Sequence, residues 1–213
     1  MAVADAPAPE TVESAEMARG TIYGVLARLF EEPSEDLHET LETGALFEDL
    51  DRLMETAGLD GEVPAVATED DYELLCARFN DLFAVGYPDP AIPRYESEHV
   101  EKTWDQVNLD LTRLYQYFDV AVDQDEREHH DSLVLELEFA GYLARLAATG
   151  EDDARRARAD FLDRHLLPFL ESVDAAIDAE HEVGIYDDVT TFARSFLEAD
   201  RDSLRETLGE AET

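Results

Sequence analysis

The sequence contains little of what several common classes of protein require. It has one cysteine among 213 residues, which excludes an internal disulfide and fits a reducing compartment. Its 53 Asp and Glu outnumber 16 Lys and Arg, and Lys102 is the single lysine, so the formal net charge is −37. Nucleic acids and anionic membranes are bound through basic side chains, and we therefore expect neither as a partner.

The patterns of membrane insertion and secretion are also missing. A membrane span needs about 18 consecutive apolar residues, and no run in the chain approaches that length. The first residues lack the basic start and the apolar centre of a signal peptide. We expect a cytoplasmic protein without a membrane span.

The common signatures of catalysis do not occur either. The chain has no glycine-rich phosphate loop, no paired-cysteine zinc motif and no serine-nucleophile motif. The one enzyme-like pattern is Glu-x-x-His, which places two metal ligands on one helical face and which di-iron helical bundles use twice. It occurs as Glu35…His38, Glu96…His99 and Glu126…His129.

Chance and helix chemistry explain much of this pattern. With 53 acids in the chain, about one or two pairs of an acid and a histidine at this spacing arise at random. Glu96 and Glu126 also stand near predicted helix starts, where the helix dipole favours acids. We expect no catalytic residue, no metal site and no cofactor, and a di-metal carboxylate enzyme remains the alternative.

The acidic residues are spread along the whole chain and do not form a tail. This spread favours a surface adapted to high salt, as in halophilic archaea that accumulate potassium chloride. At 1 M salt the Debye length is about 3 Å, so the repulsion between surface acids is largely screened. An acidic surface built for a cationic partner is the alternative.

Apolar residues that recur every three or four positions are the dominant feature of what is present. No stretch alternates convincingly at period two. The pattern predicts an all-α protein, a single-domain bundle of about eight helices. We expect a flexible N-terminal tail at 1–10, the helical domain at 11–199 and a short, frayed acidic segment at 200–213. Pro168 is expected to kink or restart its helix.

A proline-rich elbow, residues 86–97, separates two central helices. Pro88, Pro90 and Pro93 exclude a regular helix there. Rigid loops on helical scaffolds often carry binding functions, and a corner that merely caps the core is the alternative.

The helix after the elbow is predicted from about Ser97 to Phe118. Its apolar positions step by three or four residues, and Trp104 is one of them, so we expect the indole in the core. A binding platform is the alternative for Trp104.

His129, His130 and Asp131 stand where the next helix begins. They predict a small titratable cluster or, more simply, an Asp131 that caps or charges the first turn beside solvated histidines. Farther along, Glu136 and Glu138 lie among apolar neighbours. Since they are two positions apart on a helix, they cannot both face the core.

Four blocks of residues follow one another in an ordered set that spans most of the chain. They are Tyr23…Leu26-Ala-Arg-Leu29-Phe30…Pro33, Phe79-Asn-Asp-Leu82-Phe83…Gly86 with Pro93-Arg-Tyr95-Glu-Ser97, Asp131-Ser-Leu-Val-Leu-Glu136-Leu-Glu-Phe139, and Phe161-Leu-Asp-Arg-His165-Leu-Leu-Pro168-Phe169. Together they resemble the TorD/DmsD family of cytoplasmic chaperones for molybdenum-cofactor oxidoreductases, and the nitrate reductase chaperones share the blocks. The chain departs at Phe79, Ser132 and Phe169, where the family has Tyr, His and Trp.

The resemblance implies a chaperone without enzymatic activity. Such a protein binds the twin-arginine leader and the apo catalytic subunit of a molybdenum oxidoreductase of the DMSO, TMAO or nitrate reductase type, and assists cofactor insertion before export. Because a leader has two arginines before an apolar stretch, its site needs carboxylates beside an apolar groove. Asp131, Glu136 and Glu138, near Tyr95 and Phe139, are predicted to supply both.

The predicted peptide-binding residues lie in the elbow and at the start of the later helix. They are Tyr87, Pro93, Tyr95, Ser97, His130, Asp131, Ser132, Glu136 and Phe139. This chain has Ser132 where the family has a histidine. If that histidine contributes to leader binding, we expect His130 to take its place here. A monomer and a domain-swapped homodimer both stay open, and a non-catalytic helical adaptor is a further alternative to the chaperone.

Overall fold

A computed structural model describes residues 9–64, 68–86, 90–122 and 129–211, and their regular elements are helices. The α-helices are α1 (Pro9–Leu29), α2 (Glu35–Glu42), α3 (Ala45–Ala57), α4 (Tyr72–Phe79), α5 (Trp104–Tyr117), α6 (Leu133–Ala148), α7 (Asp152–Phe161), α8 (Leu167–Ala179) and α9 (Tyr186–Ala211). One π turn, Asn80–Ala84, extends α4, and another, Leu162–Leu166, joins α7 to α8, so these nine helices form eight continuous segments. The predicted all-α class is confirmed. None of the described helices is both long and apolar enough to cross a membrane.

A capping box decides where α5 begins. The Thr103 hydroxyl accepts from the Gln106 N–H, and the Gln106 side chain accepts from the Thr103 N–H in return. The predicted helix start at Ser97 is therefore wrong, and a short 3₁₀ turn, Glu96–Glu98, occupies that part of the elbow. Apolar spacing continues across the break and so conceals it, whereas the Thr-x-x-Gln pattern marks the true start.

A π turn prepares the restart at Pro168. Proline has no N–H to donate, and in a regular helix its ring would clash with the carbonyl four residues earlier. The wider turn Leu162–Leu166 relieves this clash, and Pro168 lies in the first turn of α8. The sequence predicted a kink or a restart at Pro168, and in the structure α8 begins at Leu167 directly after the π turn, with no gap in the helical segment. The π turn also carries His165 into the interior, where 3% of its surface remains exposed.

A pair of glycines lets α1 and α6 approach closely. A Cβ atom added at Gly20 would lie 3.1 Å from the Gly141 carbonyl oxygen and 2.8 Å from Cγ of Arg145. Arg145 Nη1 donates to the Gly20 carbonyl at 2.8 Å across the same contact. This crossing fixes the position of α6, whose first turn carries several of the predicted binding residues.

A buried ion cluster ties α1, α7 and α9 together. Arg158 has no exposed surface, and its guanidinium lies 2.7 Å from Glu16 Oε2 and 3.1 Å from Asp200 Oδ2. The Tyr23 hydroxyl donates to Asp200 at 2.7 Å. Burial, followed by the Asp200 charge, raises the pKa of Tyr23 well above its usual range, so this donor keeps its proton. The cluster is tolerated inside the fold because its charges are paired.

The end of α9 differs from the expectation of a frayed segment that begins at residue 200. The helix runs without interruption to Ala211, and Asp200 and Leu204 are buried. The reason for this correction is that Asp200 faces the guanidinium of Arg158 inside the fold. An acid that reads as a surface residue in the sequence is in fact half of a buried ion pair.

Candidate functional site

The elbow is joined to the start of α6 by a short antiparallel pairing. Tyr95 and Ser132 form an isolated β-bridge. On either side of it, the Leu133 N–H donates to the Arg94 carbonyl at 3.0 Å, and the Glu96 N–H donates to the Asp131 carbonyl at 2.8 Å. We call residues 94–97 and 131–133 the elbow joint. Two regions that the sequence singled out separately thus form one unit.

Side chains of the joint reinforce this backbone pairing. Asp131 is buried, and its Oδ2 accepts from the Ser97 N–H at 3.2 Å and from the Ser97 hydroxyl at 2.6 Å. Ser132 is the N-cap of α6 and accepts from the Leu135 N–H. A serine suits this position because its short side chain reaches the free N–H groups of the first turn. The cap is therefore Ser132, and Asp131 holds the elbow.

Two further predicted residues connect the joint to neighbouring segments. The His130 N–H donates to Asn108 Oδ1 at 3.1 Å, and the His130 carbonyl accepts from the Tyr115 hydroxyl at 3.0 Å. The Pro93 carbonyl accepts from His99 Nε2 at 2.7 Å. His130 thus fastens α5 to the start of α6 through its backbone.

Three carboxyl groups and one imidazole meet beneath the joint. Glu96, Asp131 and Glu136 have no exposed surface, and His165 is buried beside them. His165 Nδ1 lies 2.8 Å from Glu96 Oε2. One oxygen of Glu96, one of Asp131 and both of Glu136 receive no N–H or O–H from the described part of the chain.

A proton on Glu136 makes this arrangement stable. Burial raises the pKa of the Glu136 carboxyl well above its usual range, and the charges of Glu96 and Asp131 raise it further. Glu96 lies within hydrogen-bonding reach, so a neutral Glu136 can donate its O–H to the Glu96 carboxylate. The charge of Lys102 lowers the pKa of Glu136 and is the weakest of these influences. Glu138 is only half-buried, as expected for two acids two positions apart.

Trp104 does not lie in the core, and the prediction that it does is wrong. As the first residue of α5 it is 49% exposed. Its Nε1 donates to His129 Nδ1 at 3.2 Å. The His129 ring in turn packs against Tyr95, with ring centroids 4.7 Å apart. The helix starts at Trp104, so the side chain faces the surface beside the joint.

One of the predicted binding residues, Phe139, stands apart from this surface. Phe139 is 2% exposed and packs edge-on against Tyr115 and Phe161 inside the bundle. Tyr87 lies outside the described residues. The others, Pro93, Tyr95, Ser97, His130, Asp131, Ser132 and Glu136, lie in the joint or directly against it.

Sequence reasoning missed two residues of the buried cluster. Glu96 appeared only as a partner of His99, whereas the fold pairs it with His165, 69 residues away. Both residues stand inside the blocks that carry the family resemblance. Their place in these blocks was the sequence feature that could have identified them, because apolar spacing does not indicate which polar residues meet.

Members of the Glu-x-x-His pairs bond to other groups in the described part of the chain. His38 Nε2 bonds to the Asp70 carbonyl, and Glu96 bonds to His165. Glu126 lies outside the described residues. Within the ranges that the structure covers, no three His, Cys, Asp or Glu side chains are placed to hold a metal ion.

Comparison with known proteins also supports the resemblance to the reductase chaperones. The sequence model of the family described as the nitrate reductase delta subunit matches residues 42–175, which include the whole elbow joint and His165. The perchlorate reductase assembly chaperone protein of Dechloromonas aromatica is 27% identical over 197 residues, which cover 86% of this chain and 88% of that protein. The chlorate reductase assembly chaperone protein of Ideonella dechloratans is 35% identical over 114 residues, covering 50% of this chain and 59% of that protein.

More distant similarity extends to a further chaperone and to a solved structure. A protein named chaperone protein TorD from Vibrio cholerae is 28% identical over 143 residues, or 64% of each chain. A crystal structure described as a redox enzyme maturation protein from Archaeoglobus fulgidus aligns with a TM-score of 0.51 at 21% identity and covers 88% of this chain and 93% of that one. At this identity the structural match supports the fold alone.

Proposed function

We propose, since the chain belongs to the nitrate reductase delta subunit family, that it is an assembly chaperone for a molybdenum-cofactor reductase. In this role it binds the apo catalytic subunit together with its twin-arginine leader and assists cofactor insertion before export. The relatives named as perchlorate and chlorate reductase assembly chaperones support the chaperone role. Their names describe assembly proteins, in agreement with the expectation that the chain is not an enzyme.

The elbow joint is the observation that carries the peptide-binding part of the proposal. Tyr95 is in an extended conformation, with φ −122° and ψ 129°, and is held to Ser132 by backbone pairing. Side-chain bonds from Asp131 to Ser97 fix the same segment. A surface that is already ordered loses little conformational freedom when a flexible peptide binds, which favours binding.

Asp131 and Glu136 have a different role in this proposal from the leader-binding role that the sequence predicted for them. Asp131 and Glu136 have no exposed surface, so in this conformation they hold the joint and do not face a partner. Attraction of the two leader arginines then falls to acids at the surface. Glu98 and Glu101 are exposed in the segment between the joint and α5, and Asp105 is exposed in the first turn of α5. Carboxylates on this segment meet the requirement for charge beside apolar rings.

Co-purification tests the client. A tagged chain, expressed in a cell that produces a molybdenum reductase, should retain one large reductase subunit that still carries its leader and lacks the cofactor. Asp131→Ala removes the acceptor that holds Ser97 and should lower recovery several-fold, because the joint loosens. Mass spectrometry identifies the subunit and its leader, and metal analysis reports the cofactor.

The matched control is Asp51→Ala, an exposed acid on α3, which should leave recovery unchanged. Far-UV circular dichroism establishes that both variants remain helical. Failure of the wild-type chain to retain any reductase subunit would contradict the chaperone role. If Asp131→Ala and wild type gave equal recovery, the chaperone role would still hold, but the elbow joint would not be needed for it.

A further inference from the structure

Trp104 is placed where a tryptophan contributes little to folding. It is the single tryptophan of the chain, and about half of its surface is in solvent. Tryptophan normally buries a large apolar area, and the first position of a helix after a Thr103 cap does not require an aromatic residue. Its exposure therefore has no explanation in the packing of α5.

The orientation of the exposed ring is fixed by two neighbours. The indole Nε1 donates to His129 Nδ1, and the two rings are nearly perpendicular, at 88°, with centroids 6.0 Å apart. His129 is itself packed against Tyr95 at an interplanar angle of 64°. Because Nε1 lies in the edge of the indole, His129 engages that edge and leaves the π faces of the ring uncovered by the imidazole.

The charges around Trp104 favour a cationic partner. In the stretch 98–105, three exposed acids, Glu98, Glu101 and Asp105, stand beside one half-buried cation, Lys102. The positive charge of Lys102 interacts with the buried Glu136, which belongs to the interior cluster. A cation over an indole face is attracted by the ring quadrupole. A guanidinium does this best, because it is planar and more weakly hydrated than an ammonium.

We infer that Trp104 is the residue that distinguishes arginine from lysine in the partner peptide, by stacking on a guanidinium group an indole face that the imidazole leaves uncovered. His129 and Tyr95 are positioning residues that hold the ring. The inference rests on the proposed function and adds a specific chemical contact to it. The surrounding acids attract both cations, whereas the stacked face favours arginine.

The single indole makes the test direct. A tryptophan-free synthetic peptide with two adjacent arginines followed by an apolar segment is titrated into the full chain, beside a version with two lysines, at one fixed KCl concentration. Emission of Trp104 should shift to shorter wavelength with the arginine peptide. Isothermal calorimetry should show tighter binding of the arginine peptide, by about two- to fivefold, the size of an exposed cation–π contact.

Substitutions identify the residue responsible. Trp104→Leu should remove the preference for arginine, and Trp104→Phe should keep part of it. The matched control is Tyr117→Leu, an exposed aromatic at the other end of α5, about 20 Å away along the helix axis, and it should keep the full preference. His129→Ala should lower the fluorescence anisotropy of Trp104 and reduce the preference without loss of helical signal.

The outcomes separate the two proposals. If Trp104→Leu keeps the full preference for the arginine peptide, the inference is overturned and leader binding stands. If wild type binds both peptides equally, the arginine-specific contact is absent. If wild type binds neither, leader binding fails and the inference fails with it.

Discussion

At the scale of single residues, Glu136 is a side chain whose protonation depends on the fold. Burial and the neighbouring Glu96 and Asp131 raise its pKa well above the value of about 4.3 that a glutamate has in an unfolded chain. Between these two pKa values, folding takes up a proton. The stability that Glu136 contributes is thus complete below the unfolded pKa and is lost as the pH rises towards the folded pKa.

This linkage predicts the behaviour of Glu136→Gln. Glutamine keeps the shape and cannot ionise, so the variant should gain stability relative to wild type as the pH rises from about 5 to about 8. Each tenfold difference in the acid constant between folded and unfolded states corresponds to about 1.4 kcal/mol. Urea unfolding at several pH values and one KCl concentration measures the difference. Glu138→Gln, on the same helix but half-buried, is the control, and a gain that did not change with pH would contradict the assignment.

At the scale of elements, irregular turns bring distant residues together. The 3₁₀ turn presents Glu96, and the π turn before Pro168 presents His165, so that the two side chains meet at 2.8 Å. The close crossing of α1 and α6 sets the position of the joint relative to this pair. Stability of that crossing depends on the absence of side chains at its glycines, which a substitution can measure.

Gly20→Ala should destabilise the protein by about 1–3 kcal/mol, because the new methyl group meets the Gly141 backbone oxygen, which cannot move aside easily. Gly24→Ala, one turn along α1, meets no heavy atom within 4 Å and should stabilise it by about 0.5–1 kcal/mol through helix propensity. Urea unfolding of both variants gives the comparison. Equal stabilisation by the two changes would mean that the Gly141 carbonyl oxygen lies farther than 3.1 Å from a Cβ at position 20.

At the scale of the whole molecule, two kinds of charge behave differently. The buried ions around Arg158 are paired at close range and are little affected by salt. The surface acids repel one another, and the net charge of −37 sets the size of that repulsion. Adaptation to a high-salt cytoplasm stays a prediction from composition, and it has a direct physical consequence.

The midpoint of thermal unfolding should rise with KCl concentration, most steeply up to about 1 M, where the Debye length falls to about 3 Å. A variant in which the exposed acids Glu48, Asp51 and Glu55 of α3 are replaced by their amides should be more stable at low salt and gain less from KCl. Calorimetry across a KCl series measures both slopes. If the unfolding midpoint of the wild type did not change with KCl concentration, repulsion between surface acids would not be a major influence on its stability.

Much of the fold was predictable because its causes are local. Apolar spacing gave the helices, and Pro168 gave the restart between α7 and α8. Spacing failed at Ser97, where the Thr103 capping box starts the helix later, and at Trp104, which occupies an apolar register but lies at a helix end. In both cases the local periodicity continued past a boundary that hydrogen bonding had set.

The candidate site was predictable only in part. The elbow and the residues around Asp131 were recognised as two regions, and the resemblance placed them in one function. Their pairing through Tyr95 and Ser132, and the burial of Asp131, depend on contacts that no spacing encodes. The hydrogen bond from Trp104 to His129 likewise joins residues 25 positions apart, which no spacing encodes.

The sequence by itself determined the helical class, the family and the acidic charge, since these depend on composition, periodicity and ordered motifs. The tertiary structure alone decided which acids are buried and which are exposed to solvent. Glu96 meets His165, Asp200 meets Arg158, and Glu136 is enclosed, because burial depends on chain segments far apart in sequence. An acid's role follows from that burial, since a buried carboxyl must be paired or protonated, whereas an exposed one stays free to attract a cation.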